Sequence, residues 1–279
     1  MKRRLLRSVA VLRSGFADPR AGGVYLVVLG ILLFLFPFGL FFLASGALPE
    51  EYSWTASVFI ILIGVVTYLS ELRESRLAEA SLILLSLVVP LYFIELLGVT
   101  TGIPFGLYSY TGVLGLSAGG VPLAIPFAWY AAVMNSMRIA ERGTALRLTR
   151  RALIVAALAG FLTVAQDVAL EPAASRVELY WIWGGDGSVP LQNYGSWFVL
   201  TFLAVLILMK RAPASGGPAD GLFTNSLLLY TLQWFLFAVL DVLNGYAVSV
   251  LLSLACIGAA GTIMRRSGVG LTGQGAGMR

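Results

Sequence analysis

Residues 80–97 read ASLILLSLVVPLYFIELL, an apolar run whose one charged residue, Glu95, stands near its end. About 20 such residues cross the hydrocarbon core of a bilayer as a helix, and the run is too continuously apolar for the alternating pattern of a barrel strand. Outward from it, comparable runs recur at 24–46, 54–70, 121–137, 152–170, 196–209, 222–240 and 247–264, which makes eight in all. The composition agrees: 58% of residues are hydrophobic and 12% charged, and the mean hydropathy is +0.88, beyond the range of a water-soluble domain. The expected fold is all-α, a polytopic transmembrane helical bundle of about eight helices over residues 24–266. A basic segment, 1–23, precedes it, and a Gly-rich tail, 267–279, expected to be disordered, follows it. The first run follows basic residues as a signal peptide would. It is too long for one and lacks a small-residue cleavage site, so it reads as a retained helix.

Cytoplasmic loops keep Lys and Arg. With the N-terminus inside, Arg73 and Arg76, the arginines from Arg138 to Arg151, Lys210 and Arg211, and Arg265, Arg266 and Arg279 join the N-terminal cluster on the inner face. Arg176 alone lies outside. Eight helices with both termini cytoplasmic produce that pattern, and removing one would invert everything after it. The expectation is a multi-pass protein of the cytoplasmic membrane. Its net charge of +5 is a topology signal, with some attraction to anionic lipid and no case for nucleic acid.

Two absences narrow the chemistry. There is no histidine, and Cys256 is the only cysteine. Imidazole-bound iron, haem, iron–sulfur clusters and structural disulfides all need side chains that are missing. GVLGLSAGG at 112–120 has neither the spacing nor the strand-to-helix context of a dinucleotide loop. An enzyme built on this chain works with carboxylates, hydroxyls, amides, aromatic rings and water.

A carboxylate in or beside a bilayer is costly and usually faces a cavity or a partner. Glu95, Asp167, Glu171 and Asp241 all fall near the outer ends of their helices. Asp167 and Glu171, at i and i+4, share a helical face, although Pro172 marks the approaching end of the helix. Each acid also has the plain reading of an interfacial flank snorkelling into water, and for Asp241 the plain reading is preferred. The loops on the same side, 98–120 and 171–195, are nearly free of Lys and Arg and crowded with Gly, Pro and rings: TGIPFGLYSY, GGVPLAIPF and LYWIWGGDGSVPLQNYGSW. Loops longer than about 15 residues without regular structure are functional or disordered as a rule, and these are too aromatic for disorder. They read as lids. Trp181, Trp183, Tyr194 and Trp197, taken singly, also suit an interfacial aromatic belt.

The spaced set E-x-x-G-x-x-T-G-x-P-F-G-x-Y-x-Y at 95–110, GVPLAIPFAW at 120–129, QDVALEP at 166–172, WIW at 181–183 and VPLQNYGSW at 189–197 resembles the CruF-type carotenoid hydratase family, over roughly residues 80–210. The resemblance implies a multi-spanning membrane enzyme that adds water, without a cofactor, across the terminal (1′,2′) double bond of a carotenoid ψ-end, leaving a tertiary alcohol. γ-Carotene, lycopene and the longer bisanhydrobacterioruberin are substrates within that family. Gln166 and Glu171 stand where the family more often has Trp and Asp, a departure that bears on pocket shape and therefore on substrate.

Such a hydration needs a proton donor at the less substituted carbon and water at the tertiary cation that results. A carboxyl is an acid near neutral pH where apolar surroundings keep it protonated. On the family reading Glu95 is the first choice for donor. Asp167 is the carboxylate that holds the water as base and stabilises the cation, and the two roles are exchangeable. Glu171 joins the substrate and water site. Asn193, with Gln192 and Tyr194 beside it, would fix the water, and Tyr108, Tyr110, Trp181 or Trp183 would face the cation with a ring. Gly102, Gly106 and Pro104 shape the loop. Two alternatives stand beside this. A membrane prenyltransferase needs a second acidic cluster with Mg²⁺ and basic residues for diphosphate, where the outer loops offer only Arg176. A transporter or scaffold needs neither acid, and no convincing internal repeat is visible. The partners expected are a carotenoid, water and the lipid bilayer, with other carotenoid-pathway enzymes as further candidates; no cofactor and no metal are expected.

Overall fold

The computed structural model describes residues 19–142, 144, 148–211 and 220–266. The N-terminal segment to residue 18, the tail 267–279 and the orientation signals they carry lie outside the described residues. Among these, eight α-helices follow in order: α1 (Pro19–Ser45), α2 (Thr55–Glu74), α3 (Leu77–Thr101), α4 (Ile125–Arg142), α5 (Leu148–Pro172), α6 (Leu191–Arg211), α7 (Asp220–Leu243) and α8 (Ala247–Arg266). Each apolar run of the sequence corresponds to one helix, and the chain forms a polytopic helical bundle. Seven of the helices are long and apolar enough to cross a membrane.

The exception is α4, and its position explains why. It packs against α2, α3, α5, α6 and α7, and every residue from Trp129 to Met137 is buried. Neighbouring helices, rather than lipid, surround it, so it carries Asn135, Ser136 and Arg138 where a lipid-facing helix would not. The helix also starts later than its apolar run. Val121–Pro122 turn back as a strand, and Pro126, which lacks an N–H, fits the first helical turn. Where α4 leaves the core, Arg138 Nε and Nη2 donate to the two oxygens of Glu71 at 2.8 and 2.5 Å, and Nη1 donates to Glu141 at 2.7 Å.

The loops are stitched rather than loose. Strand β1 (Tyr108–Tyr110) pairs antiparallel with β4 (Trp181–Trp183), and β2 (Ser117–Ala118) with β3 (Val121–Pro122). Ser53 and Ser57 hydroxyls, at the start of α2, donate to the carbonyls of Val113 and Leu114 at 3.3 and 2.6 Å. Helix α3 closes on Gly102, whose φ of +77° permits the left-handed cap that returns its N–H to Gly98 O at 2.7 Å. Helix α5 ends at Pro172 and continues as a π-helical turn, Ala173–Val177.

Asp241 departs from the preferred sequence reading of an interfacial flank. It is fully buried, and its carboxylate accepts from the Ser249 hydroxyl, tying α7 to the first turn of α8. Helix α1 is peripheral: it leans on α2 and touches α7.

Candidate active site

The two lid loops meet in the β1–β4 ribbon. Its register puts Tyr108 opposite Trp183, Ser109 opposite Ile182 and Tyr110 opposite Trp181. Because side chains alternate along a strand, the two tyrosines and two tryptophans share one face while Ser109 and Ile182 point outward, exposed. The inward face carries four hydrogen-bond donors, and they divide between two acids. Tyr108 and Tyr110 hydroxyls donate to Glu95 Oε2 at 2.6 and 2.9 Å. Trp183 and Trp181 indoles donate to Glu171 Oε2 at 2.9 and 3.3 Å.

The helices complete both sets. Trp129 of α4 donates to Glu95 Oε1 at 2.7 Å. Asn193, in the first turn of α6, gives its amide N–H groups to Glu171 Oε1 at 3.1 Å and to Asp167 Oδ2 at 2.9 Å. Close approach makes this possible: a Cβ on Gly98 would stand 2.7 Å from the Tyr108 hydroxyl and 2.8 Å from Phe105, so only a glycine one turn after Glu95 lets the ring reach it. Gln192 and Ser196 each donate to Pro104 O at 2.7 Å, clamping the loop to α6.

Glu95 is 4% exposed, and Asp167, Glu171 and Asn193 are 2% exposed. Their hydrogen-bond partners in this cluster are uncharged. Burial and the neighbouring Glu95 carboxylate push the Tyr108 and Tyr110 phenols well above their ordinary range, so both remain hydroxyl groups. Between the acids lies a cavity of about 90 Å³ lined by Glu95, Glu171, Asn193 and a wall of rings. On that wall Trp129 and Trp197 stack with centroids 3.6 Å apart and planes 14° apart.

Of the residues singled out in the sequence, Glu95, Tyr108, Tyr110, Glu171, Trp181, Trp183 and Asn193 line this one cavity. Asp167 does not. It sits behind Glu171, joined to it through Asn193, and its Oδ1 has no hydrogen-bond partner among the described residues. Tyr194 is half-buried and does not line the cavity. Trp129, Phe105 and Gln233 line it without a role in the sequence reading. Trp129 closes the quoted GVPLAIPFAW, and Gln233, an amide inside an apolar run, carries the ordinary signal of an intramembrane polar residue. It accepts from Gln166 at 3.2 Å.

The sequence also resembles known proteins. The bisanhydrobacterioruberin hydratase of Haloarcula japonica is 30% identical over 177 residues, which are 59% of this chain and 57% of that protein. The chain thus matches little more than half the length of that curated relative. No solved structure matches the chain. A family model described as carotenoid biosynthesis protein matches residues 55–260, from the first turn of α2 into α8. The resemblance carried by the loop motifs and this match over most of the chain agree: the protein belongs to the carotenoid biosynthesis protein family.

Proposed function

We propose that the protein is a carotenoid hydratase of the cytoplasmic membrane, adding water to the terminal (1′,2′) double bond of a ψ-end such as that of lycopene or γ-carotene. The observation that carries the reading is the unequal way in which one cavity holds its two acids. Every donor to Glu171 is an N–H group, which can only give a hydrogen bond. Glu95 Oε2 instead faces two hydroxyls, which give or accept. Glu95 can therefore carry a proton and turn it toward a partner, whereas Glu171 is held as the acceptor.

The steps follow. Glu95 gives its proton to the less substituted carbon of the double bond, whose π electrons form the new C–H bond. The positive charge left on the tertiary carbon lies among the stacked indoles and tyrosine rings, each face worth about 2 kcal/mol when desolvated. Water supplies the electron pair of the C–O bond, and its surplus proton passes to Glu171 as base. Asp167, with one oxygen unpartnered, stands behind Glu171 as a second place for that proton. Proton return to Glu95 through the tyrosine hydroxyls and water closes the cycle. The hydratase activity of the Haloarcula relative supports the reaction class.

The test is pigment analysis by chromatography and mass spectrometry in a host that accumulates lycopene or γ-carotene, with the wild-type chain, Glu95→Gln and Glu171→Gln. A product heavier by one water, absent from both variants, is expected. Unchanged pigment with well-expressed wild-type protein on both substrates would remove the reading.

A further inference from the structure

The cavity between the acids, at about 90 Å³, has room for a chain terminus and a few waters and no more. A linear isoprenoid long enough to reach across much of a ~30 Å hydrocarbon core leaves nearly all of its length outside. A larger hollow, about 480 Å³, opens between α1 and the start of α2. Its walls carry the rings of Phe38, Phe42 and Phe59, with Tyr52 at the rim. Phe38 and Phe42 are 51% and 39% exposed, so the groove is open on its outer side. At Gly39 the groove is tight: a Cβ there would stand 2.9 Å from the tip of the Phe59 ring.

The two hollows adjoin across one turn of α2. Ile60 lines the catalytic cavity, Ala56 lines the groove, and residues four apart share a helical face. Ala56 and Ile60 both pack on the buried cluster that includes Leu114 and Trp129 of the cavity wall. The matched family region begins at residue 55, so one wall of the groove is α2, within that region, and the other is α1, outside it. Flat rings facing a narrow trough suit a flat, conjugated chain better than kinked acyl chains.

We propose that the α1–α2 groove binds the polyene chain of the substrate whose terminus lies between Glu95 and Glu171; this rests on the hydration reading above. The experiment purifies the full chain in detergent from a lycopene-accumulating host and measures bound pigment per protein by absorbance. Leu35→Trp fills the groove, and Phe42→Ala removes one wall; Leu251→Trp, on the exposed face of α8, is the control. Both groove variants are expected to retain about tenfold less pigment than wild type, the order of change that losing part of the apolar contact with the chain produces, with gel-filtration profiles unchanged and the control unaffected. Equal pigment in the control and in a folded groove variant, or no pigment on the wild type, overturns the proposal. Hydrated product in the same cultures judges the catalytic reading separately. Pigment that binds in the groove-dependent way without being hydrated removes hydration and keeps the groove. Product formation with groove-independent binding does the reverse.

Discussion

Helix α4 meets carboxylates at both ends, and the two ends hold them in opposite ways. At the Arg138 end, Glu71 and Glu141 are locked by three charged hydrogen bonds of 2.5–2.8 Å to one guanidinium. At the Trp129 end, Glu95 and Glu171 are as deeply buried as Glu71, yet hydroxyls, indoles and an amide hold them. A carboxylate paired with arginine has its charge cancelled in place and serves architecture. A carboxylate surrounded by neutral donors keeps the capacity to exchange a proton and to attract a cation formed beside it. On the hydration reading, burial alone does not separate structural acids from chemical ones; the charge of the partner does.

The sharpest way to break this comparison is to neutralise one acid at each end. Glu95→Gln or Glu171→Gln should slow hydration by about 10²–10⁴-fold, as loss of a positioned acid or base does, while the purified protein still melts near the wild-type temperature. Arg138→Met should do the converse. It strands the buried Glu71 carboxylate at a cost of about 3–5 kcal/mol, lowering yield and melting temperature, while activity per folded molecule stays close to wild type. Replacing Glu71, Arg138 and Glu141 together by Leu, Met and Leu should recover most of that stability; if the triple variant is inactive though well folded, the two ends are not independent.

Smaller changes sharpen the picture of the neutral end. Trp183→Phe keeps a ring but removes the 2.9 Å donor to Glu171. Initial rates in isolated membranes should fall about 10–100-fold, the range for a hydrogen bond to a charged group. Trp181→Phe, whose bond is 3.3 Å, should cost less. The smallest effect lies just outside the spans. Burial pushes the Glu178 carboxyl up to about 7 from 4.5. The folded state therefore prefers it protonated, and stability falls as pH rises from the unfolded value to the folded one, then stays level. Glu178→Gln should raise the melting temperature by roughly 2 °C or less at pH 8 and leave it unchanged at pH 4.

The helices were legible in the sequence because a bilayer leaves few choices: apolar runs of spanning length become helices. The acids and loop aromatics were legible because they are expensive or unusual there. What could not be read is how they are shared out. Two three-residue strands some 70 positions apart show no usable period, so the division of tyrosines to Glu95 and tryptophans to Glu171 stays hidden until the loops pair. The i, i+4 spacing of Asp167 and Glu171 predicts a common face. It does not say which acid reaches the cavity, a matter settled by how α6 presents Asn193 between them. The stack of Trp129 on Trp197 joins α4 to α6 and has no local signature at all.

The β1–β4 ribbon also limits how this site can vary. Side chains alternate with a period of two, so a slip of one residue between the strands would bring Ser109 inward beside the tryptophans, or Ile182 inward beside the tyrosines, and strip Glu95 or Glu171 of its ribbon donors. Substitutions in Tyr108-Ser109-Tyr110 are therefore read through Trp181-Ile182-Trp183, and double mutants across the ribbon should be non-additive even when each touches a different acid. Glu95 and Glu171 both keep their ribbon donors only in this register: the two loops are constrained to change together.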